Sequence, residues 1–262
     1  MKIICQKEDL QKGVSIVSKA VPSKTTMPIL ECILIDAETG SIKMTANDME
    51  LGIETTITGM IEVPGKIALE AKVFSEIVRR LPDNAVTIET DENYTTTIVC
   101  EKAKFAIPGK AGDDFAYLPQ VEKNQNISLS QFTLKEIIRQ AIFSISDNEN
   151  NKMMSGELME IEKDTLKLVS LDGHRISIRK VRLKEEYDPI KVVIPGKTLS
   201  DVSKILTGDN DSEVELFFTN NHIIFEFDQT TVVSRLIEGE SFRINQMLNS
   251  DYETKLVINK KE

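Results

Sequence analysis

Residues 170–178 read Ser-Leu-Asp-Gly-His-Arg-Ile-Ser-Ile and hold the most distinctive polar side chains of the chain. Apolar and polar residues alternate before and after the central turn, as they do in strands with one buried face. Asp172-Gly173 in the middle is a strong signal for the turn of a β-hairpin. The local pattern alone is equally compatible with a plain turn that His174 and Arg175 merely flank.

An echo of this stretch occurs earlier in the chain. Asp48 lies 124 residues before Asp172, again between two alternating segments. The echo belongs to a longer pattern, in which a short alternating strand is followed by a polar turn and an amphipathic helix. This opening occurs five times, at Lys2–Gln6, Lys66–Glu70, Asn126–Ser130, Ile190–Ile194 and Thr254–Ile258. The starts are separated by 64, 60, 64 and 64 residues, and such even spacing indicates an internal repeat.

Each of the first four openings continues with three more alternating segments, which are predicted strands. These segments are Ile29–Asp36, Ser41–Thr45, Leu51–Thr58, Val86–Thr90, Thr95–Cys100, Lys104–Pro108, Glu157–Ile161, Leu166–Leu171, Ile176–Val181, Glu213–Phe218, His222–Phe227 and Thr231–Ile237. The predicted half-unit is therefore one strand, one helix and three strands. Residues 69–77 match residues 194–202 without a gap, which supports this register. The sequence thus predicts an α+β fold of tandem half-units.

Two half-units make one domain. This predicts a first domain at residues 1–120 and a second at residues 126–248, each followed by a polar linker. The fifth opening lies in residues 249–262, where there is no room for a helix and further strands. A repeat of this kind cannot bury its apolar face alone, so we expect residues 249–262 to be the start of a third domain that is cut short. The alternative is that this tail only adds an edge strand.

Composition narrows the class of protein. The chain has 262 residues, a formal net charge of −10 and an apolar content typical of globular proteins. It begins with a charged segment and has no long apolar run, so we expect neither a secretory signal nor a membrane span, and a cytoplasmic location. Cys5, Cys32 and Cys100 lack metal-ligand or redox spacing, which predicts buried free thiols.

Positive charge is concentrated on the predicted helices, although the protein as a whole is acidic. The helices are predicted at Lys7–Ala20, Ala71–Leu81, Phe132–Ile145 and Gly196–Leu206. Opposite their apolar faces lie the basic residues Lys12, Lys19, Lys72, Arg79, Arg80, Lys135, Arg139, Lys197 and Lys204. An ordinary solvated helix face explains any one of these helices, but four equivalent helices with the same bias predict a cationic surface for phosphates. Few aromatic residues accompany them, which favours duplex over single-stranded nucleic acid.

An enzymatic function has little support in the sequence. His174 with Asp172 or Asp48 could serve acid–base or metal chemistry, but the only other histidine is His222, within a predicted strand. No phosphate-binding glycine loop, nucleophile motif or metal-ligand motif is present. We therefore expect no catalytic residues, no metal site and no cofactor.

The chain resembles a known family, the bacterial sliding clamps, which are the beta subunits of DNA polymerase III. The resemblance covers the whole chain. It is carried by Met27–Leu30, Asp172–Arg175, Pro195–Lys197 and Ser234–Gly239. It implies a DNA-clamp fold with three similar domains per chain, in which antiparallel sheets form the outside and helices line an inner face. It also implies a homodimeric ring around duplex DNA and the function of a processivity factor, an accessory subunit that is not itself an enzyme.

The resemblance also implies roles for individual residues. The family's DNA-facing basic positions fall on Lys24, Lys72, Arg79, Lys197 and Lys204. A peptide-binding pocket maps to Met154, Leu171, Gly173, His174, Arg175, Ile176 and Asn249. One side of the ring contact maps to Phe105 and Ile107, which could otherwise be plain core residues. Where many members have a proline near Asn249, this chain reads Leu248-Asn249-Ser250, and it reads Asn151-Lys152-Met153 before Met154, so its peptide preference is expected to differ.

The expected partners follow from the same resemblance. They are double-stranded DNA without sequence specificity, the polymerase III catalytic subunit, the clamp loader and other proteins with a clamp-binding motif. A different class of function stays open at this stage. In it, the chain is a protein-interaction module with a peptide groove beside His174, and the basic helices are incidental.

Overall fold

A computed structural model gives the structure of the chain. It describes residues 1–116, 118, 123, 126–146, 152–239, 254 and 256–259. Asn249 of the predicted peptide pocket lies outside the described residues. Within the described part, no helix is both long and apolar enough to cross a membrane.

The predicted order of strand, helix and three strands is found in the first two half-units, but the third differs, because Glu157–Ile161 and Leu166–Leu171 form one long strand and Ile176–Val181 runs on into the fourth opening. The strands are β1 (Lys2–Gln6), β2 (Cys32–Asp36), β3 (Ile42–Asn47), β4 (Leu51–Ile57), β5 (Met60–Val63), β6 (Lys66–Glu70), β7 (Ala85–Thr90), β8 (Thr95–Cys100), β9 (Ala103–Ala111), β10 (Asn126–Ser130), β11 (Gly156–Leu171), β12 (Ile176–Pro195), β13 (Glu213–Phe218), β14 (His222–Phe227) and β15 (Thr230–Arg235). The helices are α1 (Lys7–Val17), α2 (Ala71–Arg80), α3 (Gln131–Ala141) and α4 (Gly196–Ile205). Short 3₁₀ turns extend α1 through Ala20 and α3 through Ser144, so the predicted helix ends there are tighter turns.

The helices are held by their apolar stripes. In α2, Ala71, Phe74 and Val78 are buried and share one face, as residues three and four apart on a helix do. The side chain of Ser130 caps α3 by accepting a hydrogen bond from the Thr133 amide at 3.2 Å, which satisfies one of the free N–H groups at the helix start. Each helix therefore lies with its apolar stripe on a sheet and its polar side outward.

The sheets are antiparallel throughout the described part of the chain, which confirms the predicted fold class. Thirteen strands form one hydrogen-bonded array in the order β10-β13-β14-β15-β4-β3-β2-β6-β9-β8-β7-β1-β5, while β11 and β12 form a long hairpin. The two halves of the chain meet where β15 pairs with β4, from Thr230 opposite Thr55 to Ser234 opposite Leu51. A buried 2.8 Å hydrogen bond joins the Thr55 and Thr230 hydroxyls there. One sheet thus crosses from the first half into the second.

The hairpin predicted at Asp172-Gly173 is present, and its repeat counterpart has the same internal bonding. Oδ1 of Asp172 accepts the amides of His174 and Arg175 at 3.0 and 3.1 Å. Oδ1 of Asp48 accepts the amides two and three positions further on at 3.0 and 2.7 Å. Gly173 has φ +91°, which a glycine adopts without strain. The similar sequences around Asp48 and Asp172 therefore form the same kind of turn, once in each half of the chain.

Two further sequence expectations need correction. β5 was not predicted, because its four residues are mostly exposed and show no alternation. The described residues of the fifth opening, 254 and 256–258, have no regular structure, and Leu256, Val257 and Ile258 are 75, 84 and 73% exposed. An alternating pattern makes a strand only where a neighbouring strand supplies hydrogen bonds, and none of the described strands pairs with this segment.

All three cysteines are buried and free, as the sequence predicts. Burial raises the pKa of the Cys5 thiol to about 12, so this thiol stays protonated and unreactive at neutral pH.

Candidate functional site

The four helices form a row. α1 packs against α2, and α3 packs against α4. Lys12 and Gly13 of α1 and Ile205 at the end of α4 line one cavity of about 210 Å³ at the junction of the two halves. The helices therefore follow one another in the order α2, α1, α4, α3. Equivalent helices are brought side by side by the sheet that continues through β4 and β15.

The ten predicted DNA-binding residues lie on this row or directly after it. Eight are exposed: Lys12, Lys24, Lys72, Arg79, Arg80, Arg139, Lys197 and Lys204. Lys19 and Lys135 are half-buried. Lys24 lies in the loop that follows α1 and its 3₁₀ extension. The structure thus groups residues that the sequence spreads over nearly two hundred positions.

Half of these cations already have a carboxylate partner, which the sequence reasoning missed. Glu76 binds Arg79 at 2.7 Å and Arg80 at 3.3 Å, and Glu136 binds Arg139 at 2.8 Å. Hydrogen bonds from Arg79 are the main reason that the pKa of Glu76 lies below its ordinary value. The two remaining ion pairs join Lys204 to Asp201 at 3.1 Å and Lys197 to Asp48 at 2.8 Å. The spacing of three or four residues within a helix is a signal that could have revealed the first four pairs.

The other cations differ in their surroundings. Lys135 donates a 2.8 Å hydrogen bond to the carbonyl of Leu206, at the end of α4, and so ties the two helices together. Lys12, Lys19, Lys24 and Lys72 make no ion pair or hydrogen bond through their ammonium groups within the described residues. Exposed ion pairs are weak and exchange easily, so the five paired cations can exchange a carboxylate for another anion, while these four lysines have no such contact to break.

The pair Lys197–Asp48 spans the two halves of the chain. Lys197 belongs to the first turn of α4, and Asp48 belongs to the turn between β3 and β4. The carboxylate is mostly buried while the ammonium is exposed. Asp48 therefore has two tasks, since one oxygen shapes its own turn and the other holds the helix row to the sheet junction.

The predicted peptide pocket centres on the β11–β12 hairpin turn. Besides the two backbone amides, Asp172 accepts a 2.7 Å hydrogen bond from Nε of Arg175. The backbone bond from His174, followed by those from Arg175, keeps the pKa of Asp172 below its ordinary value. The Arg175 guanidinium lies 5.8 Å from the ring centre of Phe143, an aromatic residue that is 60% exposed and that the sequence reasoning missed.

The remaining pocket residues are placed as follows. Leu171 is buried at the end of β11, and Ile176 is half-buried over Leu158, Val169 and Val193. Met154 is half-buried in a 3₁₀ turn, and its carbonyl accepts the Ser146 amide at 2.8 Å. The hairpin thus offers an apolar floor with a cation and an imidazole at its rim.

The predicted ring-contact residues separate in the structure. Phe105 is 38% exposed on β9, whereas Ile107 is 8% exposed and packs in the core. Phe105 joins Val73 and Ile77 of α2 in an open apolar groove of about 500 Å³. Charged residues of α2, among them Arg80, form its rim. An exposed apolar groove with a charged rim is typical of a protein contact.

Two family models match the chain. The model of the DNA polymerase III beta subunit N-terminal domain matches residues 1–119, and that of its central domain matches residues 128–242. The beta sliding clamp of Bacillus subtilis is 36% identical, over all of this chain and 71% of the relative. The chain belongs to the bacterial sliding clamps. Solved structures of the family agree. A DNA polymerase III beta subunit from Eubacterium rectale has 67% identity and a TM-score of 0.93, and covers 97% of this clamp chain with 69% of its own length. The DNA polymerase sliding clamp of Bacillus subtilis superposes with a TM-score of 0.91 at 35% identity, with 96% of this chain and 68% of the other covered.

The family assigns the clamp chain to the processivity factors, the accessory subunits of DNA polymerase III. No group of three or more potential metal-ligand side chains occurs among the described residues.

Proposed function

We propose that the chain surrounds duplex DNA as part of a ring and tethers the replicative polymerase to it. The observation that carries this proposal is the row α2, α1, α4, α3, which gathers ten basic residues on an acidic protein. Lysine and arginine neutralise phosphates whatever the base sequence, so the surface follows DNA without reading it. Acidic surface elsewhere keeps DNA on the helix side.

The mechanism is topological. A closed ring leaves DNA only when it opens, so its contacts with phosphates need only to centre the duplex. Weak contacts that exchange among equivalent phosphates allow sliding. The ion pairs within the helices fit this role because they lower the local charge and so prevent tight binding at any one position. As an accessory subunit the chain needs no catalytic residues of its own, and a protein that acts on the bacterial chromosome works in the cytoplasm.

The test compares circular with linear DNA. The chain is joined to the part of the Bacillus subtilis clamp that it does not match, loaded onto a nicked circle, and the circle is then ligated. We expect dissociation from the circle to be far slower than from the same DNA after it is cut. Equal rates on circular and cut DNA would contradict a ring.

The ring contact is proposed at the groove formed by Phe105, Val73 and Ile77. In the same joined chain, Phe105→Asp places a charge where an apolar ring is expected to be covered, and should weaken dimerisation by about 30-fold or more, the effect of losing one anchor residue. Sedimentation measures the dimer constant. Met60→Asp is the matched control, because Met60 is 62% exposed on the edge strand β5. A similar loss in both variants would show that the groove has no special role.

The peptide site is proposed at the β11–β12 turn, with the polymerase III catalytic subunit, the clamp loader and other clamp-binding-motif proteins as partners. Asp172→Ala removes the acceptor for two backbone amides and for Arg175, so the turn should lose its fixed shape. We expect several-fold faster hydrogen exchange of the His174 and Arg175 amides and weaker binding of the catalytic subunit. Asp172→Asn keeps an oxygen acceptor and should retain most of the protection.

The same turn should respond to acid. Because the pKa of Asp172 is lowered in the folded state, its stabilising effect is present above the ordinary carboxyl pKa and is lost as pH falls through the lowered value. The protection factor of the two amides, which corrects the exchange rate for its intrinsic slowing in acid, should therefore fall in acid for the unchanged chain and not for Asp172→Ala. Identical pH profiles would contradict the role assigned to this carboxylate.

A further inference from the structure

A cleft on the chain lies where the two halves meet, away from the hairpin turn of Asp172. It has a volume of about 270 Å³. We call it the junction cleft. Its main walls are Met49, Gly52, His222, Val233 and Arg235, and the side chain of Leu118 lies in it and borders the remaining free volume. Three parts of the chain contribute to it: the segment around the β3–β4 turn, the strands β14 and β15, and the linker between the halves. Its volume is near the lower limit of small-molecule sites, which suits a few side chains and not a larger ligand.

Ala116 and Leu118, the described linker residues at the junction cleft, are held there as residues of a bound peptide would be. Nδ2 of Asn47 donates a 3.2 Å hydrogen bond to the carbonyl of Ala116. Two residues further on, the side chain of Leu118 packs against Phe217, Ile224 and Val233. One backbone hydrogen bond followed by one aliphatic anchor is a common way to hold an extended peptide.

A missing side chain makes the slot for this anchor. A Cβ atom at Gly52 would overlap Cδ2 of Leu118, and the three nearest atoms to it all belong to Leu118. Gly52 has no positive φ, so its backbone does not require glycine. The glycine at this position therefore serves the space for Leu118 and not the shape of β4.

The junction cleft is built from the repeat counterpart of the proposed peptide site. The β3–β4 turn around Asp48 corresponds to the β11–β12 turn around Asp172, with the same pair of backbone hydrogen bonds. The proposed function places a peptide site only at the second of these turns. In the first, the following half of the chain supplies the opposite wall through His222, Val233 and Arg235.

The rim of the junction cleft carries little net charge. Arg235 lies 3.9 Å from Glu50, and burial together with the nearby Arg235 lowers the pKa of His222, which keeps its imidazole uncharged at neutral pH. β4 and β15 are each paired on both sides, so a ligand cannot add a strand here. Recognition must come from side-chain anchors, and Met49, which is 55% exposed, can adapt its shape to them.

We propose that the junction cleft is a second peptide-binding pocket, which accepts an aliphatic anchor of an uncharged extended peptide, and that Leu118 of the linker is its resident occupant. The inference takes its ligand class in part from the proposed function of the Asp172 turn. An incoming peptide displaces Leu118, so occupation of the cleft and release of the linker between the two halves are coupled.

The probe is the hexapeptide Phe-Ala-Tyr-Leu-Pro-Gln, which copies residues 115–120, and its control is the same peptide with alanine for leucine. Labelled probe is titrated into the full chain and followed by fluorescence anisotropy. We expect saturable binding to Leu118→Ala, no binding of the control peptide, and about tenfold weaker binding of the probe to the unchanged chain, because the resident Leu118 leaves few molecules with an open cleft.

A double variant decides whether the slot at Gly52 is the site. Adding Gly52→Ala to Leu118→Ala fills the slot with one methyl group. The methyl group would clash with the Leu118 side chain, but Leu118→Ala has already removed that side chain. The double variant should therefore melt like Leu118→Ala and yet fail to bind the probe. Equal binding of probe and control peptide, or binding retained in the double variant, overturns the proposal. If Leu118→Ala does not fold, Leu118→Val replaces it, because valine empties less of the slot. The Leu118→Val chain must then bind the probe more tightly than the unchanged chain does, and more tightly than it binds the control peptide.

The outcome is separable from the proposed function. No readout here involves DNA, a ring or a polymerase, so failure of probe binding leaves those proposals in place. Adding His174→Ala to Leu118→Ala must leave probe affinity unchanged. A loss of affinity there would place the probe at the Asp172 turn and overturn the junction cleft as a second pocket.

Discussion

Replacing Lys12, Lys19, Lys24 and Lys72 together by glutamine is expected to weaken binding to duplex DNA by on the order of 100-fold at 0.1 M salt. These are the four candidate lysines whose ammonium groups have no partner within the described residues, so phosphates compete with nothing for them. Each lost phosphate contact should also lower the slope of log affinity against log salt by about 0.9, and the four together by nearly 4. Anisotropy titrations of a labelled duplex over a range of salt measure both quantities.

The matched control removes the same charge from the sheets. Lys102, Lys163, Arg179 and Lys180 are exposed on strands and turns, and their change to glutamine should leave the salt slope unaltered. If both quadruple variants lose affinity equally, only net charge matters and the helix row is not the DNA-facing surface. If neither loses affinity, the protein-interaction module without DNA becomes the better account of the chain.

A second variant with a large expected effect is Glu157→Gln, which should stabilise the chain at pH 9 by on the order of 3 to 5 kcal/mol and leave it unchanged at pH 4. Glu157 is fully buried on β11, and neither carboxyl oxygen has a hydrogen-bond partner within the described residues. Burial raises the pKa of this carboxyl to about 8 from an ordinary value of 4.5. Urea unfolding at a series of pH values measures the effect.

The direction follows from proton binding. Between pH 4.5 and 8 the unfolded chain releases the Glu157 proton and the folded chain keeps it, so the contribution of Glu157 to stability is most favourable below pH 4.5 and falls as pH rises to about 8. Glutamine has no proton to release, so its variant escapes this loss. A constant difference between the two chains at every pH would contradict the linkage.

A neighbouring carboxylate supplies the opposite control. Glu160 is also on β11 and binds Lys167 at 2.7 Å and Lys191 at 3.0 Å. Its burial opposes ionisation, but the hydrogen bonds from these two lysines outweigh that effect and keep its pKa below the ordinary value. Glu160→Gln should therefore destabilise the chain at neutral pH and lose that effect as pH falls through the lowered pKa.

The residue of the first half that corresponds to Glu157 in the repeat is apolar. Glu157 pairs with Ile194 exactly where Ile33 pairs with Leu69 in the first half, and Ile33 is a core residue. The fold therefore accommodates an apolar side chain at this position. The same correspondence was available from the even spacing of the openings, but spacing cannot tell whether a glutamate faces the core or solvent.

The sequence determined the architecture of the half-unit. Alternation along strands, helical spacing of apolar residues and the turn chemistry of Asp48 and Asp172 are local, and they placed β1, β6, β8, β10, β13 and β14 with the bounds that the structure has. Local physics also assigned the cations to the helices. It failed at the described residues of Thr254–Ile258, with which none of the described strands pairs.

Only the tertiary structure decided which of these features meet. The pairing of β15 with β4 joins residues more than 170 positions apart and sets the four helices in one row. It also creates the junction cleft and the pair between Lys197 and Asp48, neither of which has any local signature. Contacts of this kind depend on how two complete sheets pack and twist together, and a residue's own neighbours in sequence carry no information about that.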